Sequence, residues 1–313
     1  MMKSQRYDYP VETNVIGETA LRVLSNAQHG TVLASVTNAT YLRSEKGELC
    51  WLIPATGQMH QRGIQIIAPL PRLNVGSWYE VVDQTILTRS NEKLDFRHAP
   101  IWKSPTITST DIVSISRLSR SLLTVVDHLL KQSVPSGLGC LISSILQMTS
   151  HKNEALEVNL DSWMAEKAWP AVQGMILASK ANDTKLIINY AKSLVGLGEG
   201  LTPSGDDFLG GFFFSRQFLY EHYPKALNLS TCTYSDFILQ LKPLTNLISY
   251  TILKDHADGQ SVEPLHQFAN GLLQGKPVDQ LFLHVEKLIS LGHSSGWDLL
   301  SGFLAGMTIS FNK

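Results

Sequence analysis

The spacing of apolar residues changes near Pro105, and this change constrains the fold more than any other feature of the sequence. Between His29 and Lys103, apolar residues form short runs broken by turn residues, with the period of about two that is typical of β-strands. Beyond Pro105 the period becomes about 3.6, which is typical of amphipathic helices. The sequence therefore predicts an α+β protein, with a small antiparallel β sheet or barrel followed by a mostly helical domain.

Pro105 also marks the predicted domain boundary, because proline interrupts strand pairing and the Ser, Thr and Asp residues after it can cap a helix. The β-rich domain is predicted over 1–110 and the helical domain over 111–313. A helix over Val11–Asn26 is predicted to precede strands over Thr31–Val36, Tyr41–Arg43, Glu48–Ile53, Gly63–Ala68, Trp78–Leu87 and Leu94–Trp102. After an apolar stripe from Ile115 to Leu129, helices are predicted over Ser136–Met148, Leu160–Ser179, Thr184–Val195, Pro203–His222, Tyr234–Asp255, Pro264–Gln274, Val278–Ser290 and Gly296–Ser310.

The composition excludes two classes of partner. Of the 313 residues 43% are hydrophobic, and the formal net charge is −1 at pH 7, so the chain has no basic field for nucleic acid or an anionic membrane. The first residues are polar, and the longest apolar stretch, Trp297–Phe311, is shorter than the roughly 20 residues of a membrane helix. We expect a cytoplasmic protein whose partners are small molecules or other proteins, without nucleic acid or membrane binding.

One stretch of the helical domain has the character of a ligand site. It reads GLGEGLTPSGDDFLGG from Gly196 to Gly211, with three alternating glycines, two hydroxyl residues and two aspartates. Glycine permits positive φ and leaves backbone N–H groups uncovered, and a loop that enters a helix N-terminus favours a charged ligand. A C-cap glycine followed by an acidic first turn is the structural alternative, but it explains only one glycine and one acid.

The same pattern recurs near the C-terminus, where Gly292 to Gly306 reads GHSSGWDLLSGFLAG. Aligning Ser204 with Ser295 also aligns five further pairs, namely Gly205 with Gly296, Asp207 with Asp298, Leu209 with Leu300, Gly211 with Gly302 and Phe212 with Phe303. The alignment predicts two related loop-to-helix elements, and the small residues predict a close helix crossing that brings the loops together. The predicted substrate-binding residues are Gly198, Gly200, Thr202, Ser204, Gly205, Ser294, Ser295, Gly296 and Asp298.

The acids of the first loop impose a condition on the ligand. Backbone N–H groups favour an anion there, whereas Asp206 and Asp207 repel one. The two preferences agree if a divalent cation lies between the acids and the ligand, or if one aspartate faces away as a cap. Mg²⁺ bound by Asp206 and Asp207 together with ligand oxygens fits the first alternative, and both residues are also candidate catalytic residues.

Two histidines are candidates for proton transfer. His293 stands in the second loop at the place of Thr202 in the first, either as a donor to the ligand or as a solvated residue. A Ser/His/Asp triad is disfavoured there, because adjacent residues of one turn do not form that geometry. His256 lies in a segment where Thr245, Ser249 and either Leu253 or His256 follow helical spacing.

Basic residues for an anionic substrate are few in this part of the chain. After Arg120 the single arginine is Arg216. A clamp on a phosphate or carboxylate would use Arg216, a lysine such as Lys192 or Lys254, or an arginine from the β-rich half or another subunit.

Three segments resemble the family that includes the AllH subunit of oxamate carbamoyltransferase, many of whose members have been described only as a domain of unknown function. They are the two glycine and aspartate motifs and the HADG…EPL segment from His256 to Leu265. The stretch HGTVLASVTNATYLRSEKGELCWLIP, which begins at His29, is also similar, so the resemblance extends over roughly His29 to Met307.

The resemblance implies a cytoplasmic subunit that acts with protein partners in the breakdown of allantoin or related purine nitrogen. It implies an exchange of oxalurate and phosphate with oxamate and carbamoyl phosphate. The Ser-Thr-Arg-Thr-Arg loop of aspartate and ornithine carbamoyltransferases does not occur in this sequence, so their mechanism is not carried over.

Under this hypothesis the amides of Gly198 to Gly205 stabilise a developing oxyanion, Asp206 or Asp207 holds a cation, and His293 or His256 transfers a proton. Two alternatives stay open. One is a non-catalytic subunit that binds a metabolite or serves as a scaffold, and the other is a stand-alone enzyme that acts on another small carboxylate or acyl phosphate.

Overall fold

The computed structural model describes residues 11–67, 69–106, 112–149, 162–224 and 234–308. The chain divides into two compact units between Pro105 and Thr106, close to the predicted boundary. Parts of three predicted elements, at Ala68, at 160–161 and at 309–310, lie outside the described residues.

The first unit is an eight-stranded β-barrel with one added strand. Its strands are β1 (Val11–Gly17), β2 (His29–Val36), β3 (Ala39–Ser44), β4 (Leu49–Pro54), β5 (Gly63–Ile66), β6 (Trp78–Val82), β7 (Thr85–Thr88), β8 (Lys93–Asp95) and β9 (Ile101–Trp102). The order is β5-β4-β3-β2-β6-β7-β8-β1, β1 pairs back with β5 to close the barrel, and β9 adds to β1. The α+β class and the barrel are confirmed, although β1 with β8, β1 with β9 and β4 with β5 are parallel pairs, so the sheet is mixed.

The helix predicted over Val11–Asn26 is wrong in its first half. Val11–Gly17 is β1, and helix α1 occupies only Glu18–Ser25. Ile16, which the helical pattern placed on the apolar face, is fully buried in the barrel core instead. Strand alternation and helical spacing both put Ile16 inside, so the pattern alone did not distinguish them.

The predicted strand Trp78–Leu87 is a hairpin rather than one strand. Asp83 and Gln84 separate β6 from β7, with φ values of 47° and 56°. Two consecutive residues with positive φ are typical of a type I′ turn, which matches the twist of the flanking strands. The turn was missed because the Asp-Gln pair lacks the glycine that usually signals it.

The second unit is helical. Its elements are α2 (Ile115–Gln132), a 3-10 turn (Gly137–Leu141), α3 (Ile142–Thr149), α4 (Trp163–Lys180), α5 (Thr184–Ala191), α6 (Ser204–His222), α7 (Ser235–Leu241), α8 (Leu247–Ala257), α9 (Glu263–Leu273), α10 (Val278–Ile289) and α11 (Ser295–Gly306). The helix predicted over Tyr234–Asp255 is therefore two helices. Pro243 disfavours continuation between them, and Asn246 caps α8 by accepting the N–H groups of Ile248 and Ser249.

Helices α6 and α11 lie side by side at the centre of this unit. A Cβ on Gly211 would lie 1.9 Å from the Leu299 carbonyl oxygen, and a Cβ on Gly302 would lie 1.8 Å from the Phe208 carbonyl oxygen. In the Ser204-to-Ser295 alignment Gly211 corresponds to Gly302 and Phe208 to Leu299, so the two contacts are equivalent. The repeat therefore forms a local pseudo-two-fold pair of helices that run in the same direction, with their N-termini together.

Among the described residues, no single helix is long and apolar enough to cross a membrane. The pair Ile115–Gln132 and Gly137–Met148, which is bent by 111°, passes the same test by length and composition only.

Candidate functional site

The two glycine loops meet through their hydroxyl groups. Thr202 Oγ1 lies 3.2 Å from Ser295 Oγ, and Ser204 Oγ lies 3.4 Å from Ser294 Oγ. We call these four residues the hydroxyl cluster. Ser204 is buried, whereas the other three are half-buried, so the cluster extends from the α6 and α11 N-termini to the protein surface. The loops are thus brought together as the sequence predicts.

The three alternating glycines shape the first loop. Gly196, Gly198 and Gly200 have φ values of 72°, 116° and 93°, a backbone region that residues other than glycine rarely adopt. A Cβ on Gly198 would also lie 2.8 Å from the backbone nitrogen of Ser204. These glycines are therefore required for the loop to turn back onto the start of α6.

Asp206 holds this loop in place. Its Oδ1 accepts the N–H of Gly196 at 2.8 Å, and its Oδ2 accepts the hydroxyls of Thr245 and of Ser249, the latter at 2.6 Å. The side chain is buried, and both oxygens are occupied. The geometry assigns Asp206 a positioning role that connects the glycine loop to α8, with Thr245 and Ser249 on the helical spacing noted in the sequence.

Asp207 points elsewhere. Consecutive residues of a helix project about 100° apart, so Asp206 faces α8 while Asp207 faces the second loop. The part of the chain that the structure describes holds no group of three or more His, Cys, Asp or Glu side chains that could bind a metal. Binding of Mg²⁺ stays a prediction, and Asp206 would have to give up three hydrogen bonds to take part.

Asp207 and Asp298 occupy equivalent places in the repeat. The hydroxyls of Ser295 in the other repeat and of Thr202 in its own loop lie near Asp207 and favour its charged form. Asp298 Oδ2 accepts the hydroxyl of Ser294 in its own loop at 2.9 Å, and the hydroxyl of Ser204 in the other repeat lies near it. The repeat thus surrounds each carboxyl group with one hydroxyl of its own loop and one serine of the other.

Burial raises the pKa of both carboxyl groups. The pKa of Asp207 is well above its ordinary value, mainly through loss of hydration and further through the nearby Asp298 and Asp206, while the hydroxyls of Ser295 and Thr202 oppose the shift. Burial raises the pKa of Asp298 to about 6, against the hydrogen bonds from the Leu138 N–H, Ser204 and Ser294. The neutral form of each group is therefore favoured relative to an exposed aspartate.

The 3-10 turn supplies contacts that the sequence reasoning missed. The N–H of Leu138 donates to Asp298 Oδ1 at 2.6 Å, and the hydroxyl of Ser136 donates to the His293 carbonyl at 3.2 Å. Gly137 has a φ of 57°, and a Cβ there would lie 2.3 Å from Asp298 Oδ1. The Ser-Gly-Leu-Gly run at 136–139 is the only signal that the sequence offered for this close approach.

Gly205 and Gly296, which were predicted to bind substrate, are packing positions. A Cβ on Gly205 would lie 2.0 Å from the Leu194 carbonyl oxygen, and a Cβ on Gly296 would lie 1.9 Å from the Leu288 carbonyl oxygen. Their N–H groups donate to the carbonyls of Leu197 at 2.8 Å and of Leu291 at 3.1 Å. Because these N–H groups are already used, they are poor donors for an oxyanion.

The two predicted histidines lie in different surroundings. His293 is exposed beside Ser294. His256 is buried against Gly210 of α6, and its Nδ1 lies 3.0 Å from the Gln260 carbonyl oxygen. Burial lowers the pKa of His256 to about 4, against the nearby Asp255 and the hydrogen bond to Gln260. His256 is therefore neutral at pH 7 and lies at Gly210 rather than at the hydroxyl cluster.

The basic residues considered as an anion clamp lie in different surroundings. Arg216 is buried on α6, nine residues beyond Asp207, which corresponds to roughly 13 Å along the helix axis. Lys192 is exposed at the end of α5, and Lys254 pairs with Asp258 at 3.6 Å.

The raised pKa of Asp298 predicts a specific pH dependence of stability. The folded protein retains this proton from the ordinary pKa of 3.8 up to about 6, so the group contributes stability at low pH that is lost as the pH rises through that interval. Relative to Asp298→Asn, the wild type should lose up to about 3 kcal/mol of unfolding free energy as the pH rises from 3.8 to about 6. Urea unfolding of both proteins at several pH values measures the difference, and parallel curves would contradict the shift.

A comparison with known protein families finds a match for the part of the helical unit that contains the two glycine loops. A family model described as oxamate carbamoyltransferase subunit AllH matches residues 194–307. The matched range contains both glycine loops, the hydroxyl cluster, Asp207 and Asp298, so the resemblance seen in the two motifs is confirmed for these residues. The barrel and the stretch from His29 lie outside it. No solved structure matches the chain.

Proposed function

We propose that this chain is a cytoplasmic subunit of a carbamoyltransferase that interconverts oxalurate and phosphate with oxamate and carbamoyl phosphate, in the breakdown of allantoin or related purine nitrogen. In the forward direction a phosphate oxygen bonds to the carbamoyl carbon of oxalurate, the C–N bond to the oxamate moiety breaks, and the oxamate nitrogen gains a proton. The family that matches residues 194–307 is described as a subunit of the enzyme that carries out carbamoyl transfer with oxamate.

The observation that carries the proposal is the buried carboxyl group of Asp207 beneath the hydroxyl cluster. Its Oδ2 has no hydrogen-bond partner among the described residues, and Asp207 is only 6% exposed to solvent. Buried polar atoms are nearly always paired, and those that are not tend to mark functional sites. A small metabolite that inserts between the two loops would supply the missing partner.

The same geometry removes the conflict between an acidic loop and an anionic ligand. Because burial favours the neutral form of Asp207, this residue does not repel a carboxylate or phosphate as an exposed aspartate would. The N-termini of α6 and α11 add a favourable potential for negative charge. A neutral Asp207 can donate its own proton to the hydroxyl of Thr202 or Ser295, which leaves that hydroxyl free to donate to a ligand oxygen. His293, in the same loop as Ser295, is the histidine that remains a candidate for proton transfer.

A non-catalytic, metabolite-binding subunit is the second candidate. It is favoured by the position of His256, which lies against Gly210, and by the complete hydrogen bonding of Asp206. In this case a partner subunit supplies the groups that react, and the chain binds a metabolite without turning it over.

Calorimetric titration of the isolated chain tests both candidates. Carbamoyl phosphate, oxamate and oxalurate are each titrated with and without Mg²⁺, and carbamoyl transfer is then assayed alone and after partner subunits are added. We expect at least one of the three to bind, and Asp207→Leu to weaken binding at least tenfold, because it replaces both carboxyl oxygens with methyl groups on a side chain of the same branching. Glu199→Gln, at an exposed acid of the same loop, should stay within twofold.

The outcomes separate the candidates. Turnover by the isolated chain supports a catalytic subunit, and binding with turnover only after partners are added supports the binding subunit. If none of the three compounds binds under any of these conditions and no transfer is detected with partners, the proposed function is wrong.

A further inference from the structure

The pseudo-two-fold repeat allows the two carboxyl groups to be compared contact by contact. Each lies near one hydroxyl of its own loop and one serine hydroxyl of the other repeat. The contacts from the other repeat, Ser295 at Asp207 and Ser204 at Asp298, are equivalent under the alignment of Ser204 with Ser295, whereas Thr202 aligns with His293 rather than with Ser294. The two carboxyl groups therefore have similar but not identical hydroxyl surroundings.

The two carboxyl groups also differ in a backbone hydrogen bond that comes from outside the repeat. Asp298 Oδ1 accepts the backbone N–H of Leu138 at 2.6 Å, and the φ of Gly137 and its close approach to the carboxyl group make this contact possible. The other carboxyl group has no such donor, and Oδ2 of Asp207 is buried without a partner in the described part of the chain. One half of the repeat is completed by a peptide amide, and the other half lacks that donor.

We propose that Asp207 Oδ2 accepts a hydrogen bond from the amide N–H of a ligand, as Asp298 accepts one from the Leu138 N–H through its Oδ1. The inference rests on the proposed function, because it assumes that the hydroxyl cluster binds the metabolite. It adds the orientation of that metabolite: the amide end lies on Asp207, and the oxygen-bearing end lies among the hydroxyls. The ligand class is a small primary carboxamide or carbamoyl compound.

The assignment holds for either protonation state of the carboxyl group. An ionised Asp207 accepts at both oxygens, and a neutral one whose proton lies on Oδ1 still accepts at Oδ2, because a hydroxyl of Thr202 or Ser295 can accept the Oδ1 proton. An asparagine at this position would keep one carbonyl oxygen as an acceptor. A leucine of similar size would keep none.

A ligand that reaches Asp207 from the surface would pass between Thr202 and Ser295. Both residues are half-buried, whereas Asp207 lies beneath them. A ligand therefore replaces the 3.2 Å contact between the two hydroxyls with its own polar groups. Gly200 precedes Thr202 in open surroundings, with no atom within 4 Å of an added Cβ, so this side of the loop has room to adjust.

Oxamate and pyruvate form a matched pair of probes, because they have the same charge and nearly the same shape and differ by an amide NH2 in place of a methyl group. Titration of the full chain, alone and with its partner subunits, should show oxamate binding at least tenfold more tightly than pyruvate. Oxalate, which carries an oxygen in place of the NH2 group, should also bind at least tenfold more weakly than oxamate.

Two variants separate the role of the acceptor from the role of charge. Asp207→Asn should keep the preference for oxamate over pyruvate, and Asp207→Leu should reduce it to less than threefold. If Asp207→Leu does not fold, the comparison of the three ligands on the wild type and on Asp207→Asn still decides the question. Binding of pyruvate or oxalate as tightly as oxamate overturns the amide assignment and leaves the proposed function standing, whereas absence of oxamate, oxalurate and carbamoyl phosphate binding overturns both.

Discussion

Replacing Gly302 with alanine is expected to destabilise the helical unit by about 3 kcal/mol or more, because the added methyl group meets backbone rather than a movable side chain. The new Cβ would lie 1.8 Å from the Phe208 carbonyl oxygen, 2.7 Å from the carbonyl carbon and 3.0 Å from the Cα. Relief therefore requires α6 and α11 to separate. Since their N-termini carry the hydroxyl cluster, separation should also weaken the ligand binding that we propose there.

Gly271→Ala is the matched control for this prediction. Gly271 is likewise a buried helical glycine, but its Cβ would meet the terminal methyl of Leu281 at 2.6 Å, and that side chain can adopt another rotamer. The higher helix propensity of alanine, about 1 kcal/mol, offsets part of the cost. Urea unfolding of the full chain measures both variants. Equal midpoints for Gly302→Ala and Gly271→Ala would contradict the backbone contact, and Gly211→Ala should behave like Gly302→Ala because the repeat makes their contacts equivalent.

Removing the Asp206 carboxyl group is the second change with a large expected effect. Asp206→Ala leaves the Gly196 N–H and the hydroxyls of Thr245 and Ser249 without their acceptor, and an unpaired buried polar group costs about 1–3 kcal/mol. We expect a loss of about 3 kcal/mol in unfolding free energy, since the two hydroxyls can rotate to other acceptors. The binding of oxamate should weaken at least tenfold, because the loop that carries Thr202 is no longer held.

Hydrogen exchange distinguishes release of this loop from general destabilisation. In Asp206→Ala the Gly196 amide should lose its protection, while amides in the middle of α11 retain theirs. Asp258→Ala, at an exposed acid that pairs with Lys254, is the control and should change stability by less than about 0.5 kcal/mol. If the Gly196 amide keeps its protection in Asp206→Ala, Asp206 does not position the loop.

The two aspartates of the first loop show where sequence reasoning stops. Both stand in the first turn of α6, and the sequence offers the same argument for each as a metal ligand or catalytic acid. Their roles separate only when the rotation of α6 about its axis is known, because that rotation directs Asp206 to α8 and Asp207 to the second loop. The rotation is determined by the glycine contacts with α11 and by the apolar packing around α6, neither of which is local in sequence.

His256 illustrates the same limit in another way. The sequence makes His256 a candidate for proton transfer because it lies in a segment where Thr245, Ser249 and either Leu253 or His256 follow helical spacing. Whether a residue on this face of α8 reaches the first glycine loop or the middle of α6 depends on where α8 begins. The helix begins at Leu247, and Asn246 caps its N-terminus. His256 consequently packs on Gly210, one helical turn beyond Asp206.

The sequence by itself determined the α+β class, the change from strands to helices near Pro105, and the repeat that pairs α6 with α11. Those features follow from hydrophobic period and from glycine and hydroxyl residues at matching positions, which are local properties of a chain. The tertiary structure alone decided which carboxyl oxygen is left without a donor. The Leu138 N–H reaches Asp298 across 160 residues of sequence, whereas no donor from the described residues reaches Oδ2 of Asp207. A hydrogen bond over that separation has no local pattern, since it depends on how distant helices pack together.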